Sequence, residues 1–418
     1  MRLPVLVGAL LFASCATAPA PRPEPPPPEP PPLEIVILPR DDAPKKARGD
    51  TPPRETAPQE APAASAPSPD GTLPVLGRGA FPEAAPEPEG LDRAQTMSVH
   101  FLDVGQGSAT LFELPCGAVL IDTGGEDNGD FDAVDALITQ LDAFFARRKD
   151  LKRTIDLLVL THPHIDHVRG VPAVLARYTV KNVVDNGQPG AKNVLGEMTF
   201  LRDKVRAGIA YRAVNRDDVP EKGLRDAVID PVACMPVDPL IRVLSGSLGA
   251  DPGWREKKSF ANANNHSVVV RVDFGDSSVL VTGDLEEPAI DDLVLKYSTS
   301  KLLDVDVYVA GHHGSYNGTT TGLVSAMTPE VAVISMGAEW RHQMWTAWAY
   351  GHPREQAVTM LREGVTSLRK PRHVQLGIGA RRFVESQMEK AVYATGWDGP
   401  VVIDMNANGE VVPRTPTR

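Results

Sequence analysis

The chain has 418 residues, with 43 Lys plus Arg against 54 Asp plus Glu and a formal net charge of −11. That balance argues against a protein that grips nucleic acid tightly without sequence preference, since such binding needs a basic surface, but it allows a hydrolase that meets a phosphodiester briefly. Three cysteines are too few for a zinc-thiolate site or a disulfide framework.

The first fifteen residues, MRLPVLVGALLFASC, carry one arginine, a largely apolar run and then Cys15. The run is too short to span a bilayer and has the layout of a secretory leader. Its end, FASC, resembles the bacterial lipobox, in which the cysteine is lipidated, although Phe12 stands where leucine is usual. An ordinary cleaved signal peptide is the alternative. Residues 16–90 hold 22 of the 39 prolines. Such a segment cannot bury enough apolar surface to offset its ordering entropy, so residues 16–94 read as a disordered tether. A lipid on Cys15 and a tether together predict a lipoprotein of the bacterial cell envelope, on its periplasmic or outer-membrane face, with a lipid anchor as its membrane attachment. Twelve acidic and seven basic residues fall in 16–90 and Arg2 in the leader, which leaves about −7 for a domain expected over residues 95–418. No further apolar run reaches the ~18 residues of a membrane span.

In that domain, SVHFLDVG (98–105), ATLFELP (109–115) and GAVLIDTG (117–124) are short β-rich runs broken by Gly and Pro, as in a meander. Apolar residues at helical spacing predict a helix from about Phe131 to Arg147. IDLLVLT (155–161) is a continuous apolar run of strand length, which suits a strand buried on both faces, and GVPAVLARY reads as the helix after it. Residues 181–262 are less regular, with a helix near 196–207 and a strand at 240–246. A hairpin turning at FGDS lies within 266–284. A helix at 286–297, a strand at 304–311, a helix at 320–327 and a strand at 331–337 follow. Periodicity alone supports α/β with mixed sheets; two such halves suggest a layered αββα sandwich. Cys116 and Cys234 either pair, in an oxidising compartment, or remain buried thiols.

Between that strand and helix lies HPHIDH, three of the ten histidines and an aspartate within six positions. His162 and His164 sit two apart, so in an extended segment they point the same way and converge on one cation. Asp166 and His167 follow as the chain turns, which suits a second. Imidazole and carboxylate together favour Zn2+, with Mn2+ as the other first-row choice. Two ions about 3.5 to 4 Å apart can share and activate a hydroxide near neutral pH.

HPHIDH after an apolar strand resembles the H-x-H-x-D-H signature of the metallo-β-lactamase superfamily, whose fold is the four-layered αββα sandwich. More closely, HFLDVGQGSATLFELPCGAVLIDTG, LVLTHPHIDHVRG, NNHSVVVRVDFGDSSVLVTGD, GHHGS and YGHP resemble in order the ComEC-type competence DNA-uptake metallohydrolase domain and its stand-alone relatives. VYATGWDGPVVIDMNANGEV (392–411) resembles the last strands of the same domain. The resemblance implies His162 and His164 on one ion, Asp166 and His167 on the other, and Asp284 bridging them. His266 stands where the close family usually has asparagine, and supplies an imidazole where the wider superfamily keeps a ligand; a hydrogen-bonded residue at a strand start is its other reading. In GHHGS one histidine completes the second ion and the other faces substrate. His312 follows its strand as the superfamily ligand does, which leaves His313 as the catalytic partner beside Asp166 and Asp284, with the Gly314 and Ser315 amides assisting. Asp122 either orients a ligand histidine or forms the turn after its strand; Asp103, Gln106 and Gly107 of LDVGQG belong to the family signature, Ser315 belongs near the pocket, and His352 either lines the pocket or sits in a surface loop.

The tryptophans of AEWRHQMWTAWAYGHP, Trp340, Trp345 and Trp348, either form a flap that stacks a base or caps an apolar group, or pack in the core. The expected activity is a metal-dependent phosphodiesterase or nuclease outside the cytoplasm, meeting nucleic acid transiently. Hydrolysis of another ester, a lactone or a phosphocholine-type substrate is the second reading, and a non-catalytic envelope binding module the third.

Overall fold

A computed structural model describes residues 85–416. The leader, Cys15 and residues 16–84 of the expected tether lie outside the described residues. Residues 85–94, which composition assigns to the tether, lie against the folded domain. The Arg414 guanidinium donates to the carbonyls of Ala85 and Pro86, and Glu87 accepts from Arg93 and Arg147.

The strands in chain order are β1 (Thr96–Phe101), β2 (Thr110–Glu113), β3 (Ala118–Ile121), β4 (Thr154–Val159), β5 (Thr179–Asp185), β6 (Ala210–Ala213), β7 (Pro239–Ser245) and β8 (Val269–Phe274). There follow β9 (Ser277–Val281), β10 (Val307–Val309), β11 (Val331–Ile334), β12 (Leu368–Gly379), β13 (Arg382–Lys390), β14 (Val392–Ala394), β15 (Val401–Asn406) and β16 (Val411–Arg414). One sheet has the order β16-β15-β1-β2-β3-β4-β5-β6 and the other β14-β11-β10-β9-β8-β7. Short loops keep β1, β2 and β3 antiparallel, and likewise β7, β8 and β9. Helical crossovers make β3 to β6 and β9 to β11 parallel, because a parallel return needs a long connection.

Side-chain alternation builds the layers. Phe112, Val119, Ile121, Leu157 and Val159 face the second sheet and join its Val270, Val272, Val279 and Val281 in one core. Their neighbours Leu111, Leu120 and Leu158 face outward onto the helices 133–147, 171–177 and 195–206. The second sheet is covered on its far side by the helices 287–296, 321–327 and 355–364. Helix, sheet, sheet and helix result, the expected αββα order. The helix Ala133–Arg147 starts where Asp132 accepts hydrogen bonds from the Val134 and Asp135 amides, and it buries Leu137, Leu141 and Phe144 at helical spacing.

Two parts of the fold differ from the sequence reading. β5 and β6 extend the first sheet within or beside the stretch read as irregular, and β12 with β13 forms a separate hairpin that no periodicity marks. Most hairpin residues are exposed or half-buried, so no apolar alternation distinguishes it from a loop.

A charged cluster closes the β2 end of the first sheet. Glu113 is buried and bonds to His100, Arg147 and the buried Arg148. Burial alone would raise its carboxyl, but the hydrogen bonds and charges of His100 and Arg147 outweigh this and hold it well below the usual carboxylate range. Its stabilisation is therefore complete above about pH 4.3, the value of an unfolded glutamate, and is lost as pH falls from there toward the folded value. Glu113→Gln is expected to cost roughly 3 kcal/mol at pH 7, because it leaves buried guanidinium charge uncompensated. Urea unfolding of both proteins from pH 7 down to 3 measures this; a gap that does not narrow below pH 4 contradicts it.

Candidate metal centre

The site forms where β4, β9 and β10 end. Beyond Val159 the chain is pinned by one buried carboxylate. Asp122, itself at φ 60, accepts the Thr161 amide and hydroxyl at 2.8 Å each and the His167 Nδ1–H at 2.7 Å. His164 precedes the short helix 165–168, and the His167 amide donates back to its carbonyl. After β9, Gly283 is at φ 55, and a Cβ there would lie 2.8 Å from that of Thr161, so only glycine lets the two sheets approach here. The next residue, Asp284, is fixed by its amide donating to Ser267 Oγ at 3.1 Å.

After β10 comes GHHGS. His312 and His313 are at φ 50 and 53, two consecutive non-glycine residues in the left-handed region. Each costs of order 1 kcal/mol or more, strain of the kind that concentrates at functional sites. The turn sends the two rings in different directions. His313 is buried, donates Nδ1–H to the Ser335 carbonyl at 2.9 Å, and so turns Nε2 inward. His312 stays partly exposed at the rim, with Nε2 4.0 Å from Asp284 Oδ2 and Nδ1 3.7 Å from Glu286 Oε1.

Asp166, His167, Asp284 and His313 offer ligand atoms that all lie within 4.8 Å of one another. Asp284 Oδ2 is 3.2 Å from His167 Nε2 and 3.4 Å from His313 Nε2, and Asp166 Oδ2 is 3.3 Å from His313 Nε2. On the other side of Asp284 Oδ2, His162 Nε2 lies at 3.9 Å and 3.0 Å from His164 Nδ1. The buried His167 Nε2 and His313 Nε2 make no directed hydrogen bond despite these approaches. Two imidazole nitrogens aimed at a shared carboxylate without bonding to it fit a cation between them better than a hydrogen-bonded core, where buried polar atoms are satisfied.

Burial pushes the His162 ring well below its usual pKa, and the neighbouring His167 charge adds to this. Burial would lower His167 and His313 as well, but the Asp284 carboxylate, with Asp122 for the first and Asp166 for the second, raises both, His313 to about 10. The site is thus a focus of negative potential built to hold positive charge.

Two ligand expectations are corrected. His266 does not join the cluster: its Nε2–H donates to the Phe260 carbonyl at 2.6 Å and its Nδ1 accepts the Leu248 amide at 3.0 Å, so both nitrogens tie down the loop 247–262. The 3-10 turn Ala263–His266 brings Asn264 to the site instead, with Nδ2 3.4 Å from His312 Nε2 and a buried Oδ1 that has no partner. Second, His313 rather than His312, which the sequence reading favours as the ligand, converges with Asp166 and Asp284. The Ser315 amide donates to the His312 carbonyl at 2.8 Å and its hydroxyl to Asn317, which occupies it in the turn. Asp103 accepts the Gly105 amide in the loop after β1. His352 is buried with its ring stacked 6.5 Å from that of His313, and its Nδ1 accepts from the Gln106 side-chain amide at 3.2 Å. Asn264 is the site residue whose placement sequence reasoning missed; its run, NNHS, carried the only available signal.

The sequence profile of the Metallo-beta-lactamase superfamily matches residues 102–338. The chain is 28% identical over 276 residues to ComE operon protein 3 of Bacillus subtilis (strain 168), covering 63% of this chain and 30% of that one. It is 29% identical over 320 residues to Competence protein ComA of Neisseria gonorrhoeae, covering 76% of this chain and 36% of that one. The chain therefore spans about a third of the length of these relatives. Among solved structures, the metallo-beta-lactamase fold protein YhfI from Bacillus subtilis aligns with a TM-score of 0.37 and 12% identity, over 70% of this chain and 100% of that one.

Proposed function

Because the chain belongs to the metallo-beta-lactamase superfamily and is a relative of ComEC-type competence proteins, we propose that it is a metal-dependent phosphodiesterase acting in the cell envelope. The observation that carries this reading is the approach of two buried imidazole nitrogens, 3.2 and 3.4 Å away, to one oxygen of Asp284. His162 and His164 would hold one divalent ion, Asp166, His167 and His313 the other, with Asp284 between them; the mixed nitrogen and oxygen donors suit Zn2+ first and Mn2+ second. Bound there, such ions lower the pKa of water toward neutrality and polarise a phosphoryl oxygen.

The protein's own groups do the rest. Asp122 fixes the tautomer and orientation of His167 by taking its Nδ1–H, as the Ser335 carbonyl does for His313. His312, at the rim with Nε2 4.0 Å from Asp284 Oδ2 and Nδ1 3.7 Å from Glu286 Oε1, is placed to give a proton to a leaving oxygen from the nitrogen that faces the site. Beside His164 a cleft of about 440 Å³ is lined by Pro163, Gln188, Gly190, Asn262 and Ala263, and no charged side chain lines it. A substrate flank lying there would be held without ion pairs, in keeping with brief engagement by an acidic protein.

Envelope location is supported by the competence relatives and by Cys116 and Cys234, whose Cα atoms are 5.5 Å apart as a bonded pair. Disulfides persist in oxidising compartments. No helix among the described residues is long and apolar enough to cross a membrane, so attachment through Cys15 is part of the same proposal.

The test is a panel of chromogenic esters on the purified, Zn2+- or Mn2+-loaded protein. Nitrophenol release from bis(p-nitrophenyl) phosphate with little from p-nitrophenyl acetate is the expected result. Comparable turnover of a carboxyl ester or a lactone moves the assignment to the second reading. No turnover of any ester defeats both enzyme readings in favour of a binding module.

A further inference from the structure

Four exposed aromatics occur among the large exposed apolar side chains of the described residues: Tyr316, Trp340, Trp345 and Tyr350, at 60, 62, 71 and 37% exposure. All four, with Met344, come from two segments, one continuing from GHHGS and the other spanning 340–350 and ending in the short helix Ala347–Tyr350, whose Tyr350 stacks on His352 next to His313. Scattered exposed apolar residues need no explanation, but a patch gathered at the mouth of a site does. Exposure also rules out core packing for Trp340 and Trp345, one of the two readings the sequence leaves open.

The rings form a series. Trp345 lies 6.3 Å from Tyr350, Tyr350 stacks 5.5 Å from His352 at 22°, and His352 stacks 6.5 Å from His313 at 27°. Trp345 is held at φ 64, an unfavourable conformation for a residue with a side chain, and its ring stays in solvent. One cation lies beside the patch, Arg381, 5.1 Å from the Trp348 ring; Arg341, next to Trp340 in the chain, is turned inward over Phe131 and pairs with Glu126.

We propose that the 340–350 loop, with Tyr316, is the specificity element of this site, and that it accepts the flat ring of an unpaired nucleobase next to the scissile phosphodiester. This rests on the phosphodiesterase reading above. A ring added at Tyr350 joins a stack that runs through His352 to His313, the residue that faces Asp166 and Asp284, and Trp345 extends the series outward. A base inside a duplex already stacks on both faces and cannot join it. A net charge of −11 disfavours the broad electrostatic hold on phosphates that most single-strand binders combine with stacking. Stacking must therefore supply most of the discrimination, and a lipid headgroup, which has no ring, gains nothing from the series.

The experiment compares thymidine 5′-(p-nitrophenyl phosphate) with methyl p-nitrophenyl phosphate on the metal-loaded full chain in detergent; both release p-nitrophenol and differ in the base-bearing group. The thymidine ester is expected to have a kcat/KM higher by ~tenfold or more, within the range that stacking on an aromatic platform provides. Trp345→Ala and Tyr350→Ala should narrow that ratio, chiefly through KM. Tryptophan fluorescence should be quenched by oligothymidylate and not by a duplex of equal length. Equal kcat/KM for the two esters, a ratio unaltered in both variants, or a fluorescence response to phosphatidylglycerol vesicles in place of oligothymidylate overturns the proposal. If neither ester is hydrolysed but oligothymidylate quenches and Trp345→Ala abolishes the quenching, the hydrolase reading fails and the ring site stands.

Discussion

Asp284→Ala is expected to lower phosphodiester hydrolysis by about 10³-fold or more, equivalent to ~4 kcal/mol of lost transition-state stabilisation. The residue is buried, and four imidazole nitrogens approach its Oδ2, at 3.2, 3.4, 3.9 and 4.0 Å. Removing it also takes away the carboxylate that His167 Nε2 and His313 Nε2 face at 3.2 and 3.4 Å, and with it the negative charge that would hold the ions. Metal content should therefore fall below about two ions per chain, a readout independent of turnover. His313→Ala should resemble it in both measurements, whereas His312→Ala should lose activity while keeping its metal, because His312 lies at the rim. Full metal content in Asp284→Ala, or metal loss from His312→Ala but not from His313→Ala, would sink this assignment of roles.

Removal of the Cys116–Cys234 link is expected to have the largest effect on stability. The two residues are 118 positions apart, and their Cα separation of 5.5 Å suits a bridge. In the chain-entropy account, closing a loop of that length contributes about 4 to 5 kcal/mol by restricting the unfolded chain. The bridge joins the β2–β3 turn of the first sheet to the segment leading into β7 of the second, so it also fastens the two halves. Urea unfolding with and without a reductant, and of Cys116→Ala paired with Cys234→Ala, measures the effect. An unchanged midpoint under reduction would show that the halves are held by packing alone.

Much of the chemistry is legible from local spacing. HPHIDH lies directly after an apolar run, and VTGD and GHHGS each follow one, so the strand ends on which His162, His164, Asp166, His167 and Asp284 sit can be found without coordinates. The helix at 133–147 announces itself through Asp132 and its apolar period, and the layered order follows from alternation along β2, β3 and β4. The hairpin β12–β13 is not legible, because both its faces are largely in water and leave no apolar pattern.

The sequence by itself determined which strand ends carry metal-binding chemistry, because side-chain type and two-residue spacing are local properties. Only the tertiary structure decided which neighbouring side chain turns inward. A left-handed turn at φ 50 and 53 separates His312 from His313, and a 3-10 turn substitutes Asn264 for His266. Backbone direction at such turns is set by the packing of the two sheets, through Gly283 against Thr161 and Ser267, and by carboxylates such as Asp122 that reach across the chain. The same holds for the Cys116–Cys234 bridge and for the exposure of Trp345, since each depends on where residues far apart in the chain are brought together.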